Sequence, residues 1–263
     1  MLKTGHHLSK KEIIEKYNKL NYRHGFGKEL NSWVLSVVSD LNGKRILDVG
    51  CGYGEILEEI ANHFDSQLYG VDFINVRIDE ALEKLKGKVV IKNSDIQEEI
   101  PFPDNYFDVV FSIETLEHLK EPEKCIKEIK RVLKNNGQFI LTMPNATGYF
   151  PFHYFGRLIP TRWLRSKLLP YEHPLITDQP IDTCYEYVEI IELLKRNGLI
   201  IKEIEGARYF RYLQTIPLIR DIYRFFYPFV NLVMAKINAK RFAYNLLFLC
   251  NLDPRNNDRA KKI

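Results

Sequence analysis

The chain has 263 residues, 45% hydrophobic and 27% charged, with a formal net charge of +4. These are ordinary values for a globular protein with a sizeable core. Its four cysteines, Cys51, Cys125, Cys184 and Cys250, contain no CxxC pair, which argues against a zinc ribbon or disulfide framework and for reduced thiols in a cytoplasmic protein. The first 20 residues are polar and charged, without the apolar core of a signal peptide. No apolar run reaches the roughly 18 residues that a membrane span needs. Charge is unevenly spread: residues 151–263 hold 18 Lys and Arg against 11 Asp and Glu, whereas residues 1–150 hold 20 against 23.

In chain order, apolar spacing predicts helices over 9–22 and 27–41, broken by the glycines of "RHGFG". From residue 44 short β-rich runs alternate with helical ones. "RILDVG" is followed by "EILEEIANHF", "QLYGVD" by "VRIDEALEKLKG", and "KVVIKNSD" by a Pro-rich loop. "FDVVFSI" then leads to "EPEKCIKEIKRVLK" and "GQFILTMPN". This pattern predicts an α/β fold, a Rossmann-like doubly wound sheet that is mostly parallel with helices on both faces. Residues 145–180 interrupt it with prolines and aromatics. The alternation resumes with a helix over 183–197 and a strand in "GLIIKEIEG", and "AYNLLFLCNLD" gives a last strand. The expected organisation is a helical cap over 1–43 and a domain over 44–251 with insertions at about 145–180 and 211–241. A charged tail follows over 252–263.

The first strand runs into "GCGYG". Gly50, Gly52 and Gly54 stand where a doubly wound sheet binds ligands, outside the carboxyl end of a strand. Glycine lets a ligand approach the backbone without meeting a Cβ. Asp48 precedes the turn, and Asp72, 18 residues beyond Gly54, is placed to accept ribose hydroxyls. A nicotinamide dinucleotide takes G-x-G-x-x-G and needs a helix N-terminus facing its pyrophosphate. The spacing here is G-x-G-x-G, flanked by Asp48 and Glu55. Those carboxylates suit S-adenosylmethionine better, because it carries a cationic sulfonium and no phosphate.

Over residues 40–145 the run "LDVGCGYGE … GVD … NSDIQEEIPFPDNYFDVVFSIETLEHLKEP … GQFILTMPN" resembles the class I S-adenosylmethionine-dependent methyltransferases of the type 11 and type 12 groups. The resemblance implies a seven-stranded sheet whose last strand is antiparallel. It implies that Asp48, Gly50 and Gly52 shape the pocket for the methionine end and that Asp72 binds the ribose with Phe73 along the adenine. It places Asp95 and Ile96 at the adenine, and Ile113 and Glu114 beside the methionine and the transferred methyl.

A base is needed when the acceptor is a hydroxyl or a protonated amine. Glu114, Glu117 and His118 stand at i, i+3 and i+4, which on a helical turn share one face. His118 is the candidate catalytic base. The same three residues are an alternative divalent-metal site. "ETLEH" resembles the metal-binding E-x-x-E-H of small-RNA 3′-end 2′-O-methyltransferases, with His153 or His173 as a further ligand, and a motif in the O-methyltransferases of ubiquinone synthesis.

The insertions bear on the acceptor. Residues 149–171 and 208–229 interleave aromatics with arginines. They read as a packed cap, as a membrane-surface helix within 211–241, or as a nucleic-acid surface; no RNA-binding module is visible, which disfavours the last. The leading expectation is methyl transfer to a small-molecule or lipid-linked acceptor, at oxygen. The rivals are a metal-dependent RNA methyltransferase, a nicotinamide oxidoreductase, and a cofactor-binding protein without turnover.

Overall fold

A computed structural model of the chain describes residues 2–20, 27–38, 40–149, 179–209 and 217–254. Most of the 145–180 insertion, including its aromatic and basic residues from 150 onward, lies outside them, as do His153, His173, residues 210–216 and the tail from 255.

The strands are β1 (Leu2–Thr4), β2 (Arg45–Val49), β3 (Gln67–Asp72), β4 (Val89–Asn93), β5 (Phe107–Ile113), β6 (Leu133–Pro144), β7 (Asp182–Cys184), β8 (Leu199–Ala207) and β9 (Asn245–Leu252). The helices are α1 (Lys10–Lys19), α2 (Gly27–Val37), α3 (Glu55–His63), α4 (Asn75–Leu85), α5 (Pro122–Val132), α6 (Tyr187–Arg196) and α7 (Pro217–Lys236). Seven strands form one sheet in the order β4-β3-β2-β5-β6-β9-β8. β9 runs antiparallel to both its neighbours and every other pairing is parallel. Alternate side chains feed two cores: Leu47 and Val49 face one side, and Ile46 faces the other with Val109, Phe111 and Ile140. The carboxyl ends of all strands but β9 therefore share one edge, and the β2 turn opens there, beside the reversal of strand order.

Two expectations are corrected. The segment beginning at 183 is not helical at its start: Asp182–Cys184 is a strand paired antiparallel with β1. Glu186 and Glu189 form a reciprocal capping box, so the helix begins only at Tyr187. The N-terminal cap likewise contains a strand ahead of its helices. In α1, Ser9 and Glu12 form a second capping box, and Ile13 and Tyr17 turn inward to pack with Leu8, Ile74 and Ile181. Among the described residues no helix is long and apolar enough to cross a membrane.

Candidate active site

The glycines of the β2 turn have different jobs. Gly50, Gly52 and Gly54 all have positive φ, of 78°, 48° and 69°. A Cβ on Gly50 would lie 2.4 Å from the Thr115 methyl, so that glycine is required by packing. A Cβ on Gly52 would meet nothing within 4 Å. Gly52 therefore borders open space at the strand edge, where a ligand can lie against bare backbone. The turn is anchored to β3, because the N–H groups of Gly50 and Cys51 both donate to the Val71 carbonyl at 2.8 and 3.1 Å.

Asp72 ends β3 and is buried. Its Oδ2 accepts from the Gly52 N–H and its Oδ1 from the Ile74 N–H, both at 2.9 Å. Burial raises its pKa and outweighs these two bonds, which pull it down. Asp48 is buried beneath the same turn. Burial, then the charges of Asp72 and Glu55, push it up to about 8. Phe73 meets the Tyr17 ring edge-on, with centroids 5.7 Å apart. Asp95 forms an ion pair with Lys10 at 2.9 Å and accepts from the Gln97 N–H at 3.0 Å. Burial opposes its charge, but these contacts prevail and hold its pKa low. Ile96 is buried behind it and Ile113 is half-buried at the end of β5.

The "ETLEH" stretch departs from the helical-face expectation. Glu114 sits at the end of β5 with φ 49°, and its N–H donates to the Thr142 carbonyl and hydroxyl. Only Leu116–His118 form a turn of 3-10 helix. The left-handed kink at Glu114 turns its carboxylate toward β9, where Oε2 accepts from Asn245 Nδ2 at 3.0 Å. Glu117 is 1% exposed, and its Oε2 has no hydrogen-bond partner. Burial and the Glu114 charge push its pKa well up. His118 is half-buried with Nδ1 2.9 Å from the Ile181 carbonyl. That carbonyl can only accept, so Nδ1 carries the proton and Nε2 is the basic nitrogen. Burial lowers the imidazole to about 4. Among the described residues, no group of three or more His, Cys, Asp or Glu side chains is arranged to hold a metal ion.

Other contributors were not legible in the sequence. Asp182 on β7 is buried and pushed up to about 7, by burial and then by Glu114. Tyr17 of α1 is buried, and burial above all pushes its hydroxyl pKa up, with smaller influences from the charges of Arg77, Asp182, Glu117 and Asp72. The Arg77 guanidinium lies 5.2 Å from the Tyr17 ring and 5.7 Å from the Tyr53 ring. Asn245 comes from the last strand. No local motif announces these residues, because β1, β7 and β9 reach the site only through pairings distant in sequence.

The donor set fits S-adenosylmethionine. An open glycine cradle adjoins buried Asp72 and Asp48, and Glu117 and Asp182 are two further buried carboxyls; the pKa values of all four are raised. A cation in that space relieves the cost of ionising them.

Residues 47–141 match the protein family described as "Methyltransferase domain". A sterol 24-C-methyltransferase of Aspergillus fumigatus is 37% identical over 102 residues, covering 37% of this chain and 27% of that protein. A ubiquinone biosynthesis O-methyltransferase of Pelagibacter ubique is 27% identical over 171 residues, covering 64% of this chain and 67% of that protein. The fold is shared with a Haemonchus contortus Phospholethanolamine N-methyltransferase 2 in complex with S-adenosylhomocysteine, at a TM-score of 0.60 and 22% identity, covering 92% of this chain and 57% of that one. The chain thus spans about a quarter of the sterol relative's length. Residues 47–141 thus form a methyltransferase domain, and the chain shares the fold of a methyltransferase that holds S-adenosylhomocysteine.

Proposed function

We propose that the protein transfers a methyl group from S-adenosylmethionine to a hydroxyl of a small-molecule or lipid-linked acceptor. The observation that carries the cofactor half is the open face of Gly52 beside buried Asp72 and Asp48. A sulfonium here favours ionisation of these buried carboxyls and gains from it, whereas a pyrophosphate would disfavour it. In this reading Asp48, Gly50, Gly52 and Gly54 shape the methionine end, with Ile113 and Glu114 beside the reacting methyl. Asp72 holds the ribose, and Phe73, Asp95 and Ile96 hold the adenine. Lys10 and Tyr17 bring α1 over them as a cover that keeps water out.

S-adenosylmethionine supplies an electrophilic methyl on a cationic sulfur. The protein's task is alignment and exclusion of water. His118 remains the proposed base for the acceptor proton, taken at Nε2, with the Ile181 carbonyl fixing the ring. An imidazole near pKa 4 is neutral throughout the physiological range, so its role needs no prior deprotonation.

The lipid half is supported by α7. Ile222, Phe225, Phe226, Phe229 and Leu232 form one exposed stripe at helical spacing, with Phe225 79% and Phe229 64% exposed. Lys236, Lys240 and Arg241 follow at its end. An aromatic stripe closed by basic residues complements an anionic bilayer surface, where rings enter the interface and cations meet headgroups.

Calorimetry with S-adenosylhomocysteine and with NADH tests the cofactor assignment. Binding of the first alone supports it, and binding of NADH alone overturns it.

A further inference from the structure

Residues 2–20 lie across the candidate cofactor site. At one end the Arg77 guanidinium reaches two rings, 5.7 Å from that of Tyr53 within the glycine turn and 5.2 Å from that of Tyr17 on α1. In the middle Tyr17 meets Phe73, the residue after Asp72, edge-on. At the other end Lys10 Nζ pairs with Asp95 Oδ2 and Glu98 Oε1, both at 2.9 Å. α1 thus crosses from the turn after β2, past the end of β3, to the loop after β4, and these three strands are neighbours in the sheet.

With α1 in this position, Asp72 is 5% exposed and Ile96 3%. A ribose or an adenine taking the place proposed for it at these side chains has to pass the protein atoms that cover them. Most of the surroundings cannot give way cheaply. The glycine turn is bonded to β3 through the Gly50 and Cys51 N–H groups, and Asp72 closes a central strand. α1 is held more lightly. Its inward side chains, Ile13 and Tyr17, pack in a small cluster separate from the two main cores. Its pairing to Asp95 and Glu98 runs through the half-exposed Lys10, and exposed ion pairs contribute little.

The chain ahead of α1 is fastened to the other side of the site. β1 pairs with β7 in the register Leu2–Cys184, Lys3–Thr183 and Thr4–Asp182. Thr4 Oγ1 donates to the Asp182 carbonyl at 3.2 Å, and His6 Nε2 lies 2.9 Å from Thr183 Oγ1. Lys120, two residues after His118, donates to the Leu8 carbonyl. Ile181, just ahead of β7, supplies the carbonyl that orients His118. A two-stranded ribbon of three residues is marginal by itself, so it can open and re-form.

We propose that residues 2–20 are a lid that moves off the strand ends to admit the cofactor and closes over it. The β1–β7 ribbon is its latch, and closing the latch sets the Ile181 carbonyl against His118. Cofactor entry is thereby coupled to orientation of the proposed base, and the structure shows the closed form. The proposal rests on the cofactor reading above.

The register supplies the test. Residues directly opposite in an antiparallel pair have Cα atoms about 4.5–5.5 Å apart, within the range of a disulfide. Leu2→Cys therefore puts a thiol opposite the native Cys184, and oxidation bolts the latch. Tritiated S-adenosylhomocysteine is loaded first, the chain is oxidised, and release into excess unlabelled ligand is timed, with peptide mass spectrometry reading the bridge. Release from the oxidised variant should be at least about tenfold slower than from the same sample after dithiothreitol. The parent, whose cysteines are buried, should release at one rate in both conditions. A segment that only supports the fold would leave release unchanged when tethered. Equal release from the bridged and reduced variant overturns the proposal while the cofactor assignment stands. Failure of the bridge to form overturns it too, because the latch is then not paired in this register. If the parent chain does not bind S-adenosylhomocysteine, the methyltransferase reading falls and the lid with it.

Discussion

At the scale of single residues, the glycine turn separates packing from binding. Gly50 is fixed by Thr115, whereas Gly52 faces open space. Asp72, to which the ribose role is proposed, is tied to the turn because it accepts from the Gly52 N–H. Asp72→Asn keeps the side-chain shape and removes the charge. It should weaken S-adenosylhomocysteine by roughly 1–3 kcal/mol, the range of a lost charged partner, and an unchanged dissociation constant in calorimetry would remove the ribose role. Asp48 makes a pH prediction. With its folded pKa raised to about 8, the native state keeps a proton that the unfolded chain releases near pH 4. Stability contributed by this group is therefore full at low pH and is lost as pH rises toward 8. Asp48→Asn should melt higher than the parent at pH 8 by about 2–4 °C or more, the shift that 1 kcal/mol gives in a domain of this size. Melting curves that fall in parallel between pH 5.5 and 8 would contradict it. His118 makes a second one. A base near pKa 4 should leave kcat at saturating cofactor and acceptor flat from pH 8 down to about 5, and an acid limb in kcat near pH 6.5 would argue for another base. The residues of the turn were legible because glycine spacing reflects a local backbone requirement. Asp182, Asn245 and Tyr17 were not, because burial and neighbours at a distance give them their roles.

At the scale of elements, the alternation of strands and helices over 44–144 was legible from period alone, including the helices after β2, β3 and β5 and the Pro-rich loop after β4. The pairing of Leu2–Thr4 with Asp182–Cys184 was not, since three-residue strands carry too little pattern and their partners lie far apart in sequence. The "ETLEH" turn misled for a different reason. Its spacing is helical, but β5 extends to Ile113 and Glu114 takes a left-handed conformation, which breaks the helical face before it starts. α7 is the element whose inner and outer faces differ most in consequence. Tyr223, Val230 and Met234 turn to the protein, while the phenylalanine stripe turns to solvent. Full burial of a large apolar side chain contributes about 1.5–3 kcal/mol. Phe225→Glu with Phe229→Glu should therefore lower co-sedimentation with anionic vesicles by at least about tenfold, with S-adenosylhomocysteine affinity unchanged. Vesicle binding equal to the parent's would mean the stripe serves something other than a bilayer.

At the scale of the whole molecule, one sheet edge gathers the glycine turn after β2, Asp72 at the end of β3 and Glu114 just after β5. The cofactor half lies over β2 to β5, where the family match falls. The relatives and neighbour bear names for methylation at carbon, oxygen and nitrogen; in the proposed account the matched domain sets the methyl donor and the elements outside it set the acceptor. That division explains why the donor was readable from a short glycine motif and the acceptor was not. The most direct measurement incubates the protein with methyl-tritiated S-adenosylmethionine and a membrane extract, then counts label in the organic phase. The account predicts organic-soluble label with the parent chain and at least about a tenfold loss with Asp72→Asn under subsaturating cofactor. Label in neither phase while S-adenosylhomocysteine still binds would contradict it, and label confined to the aqueous phase would remove the lipid-linked acceptor.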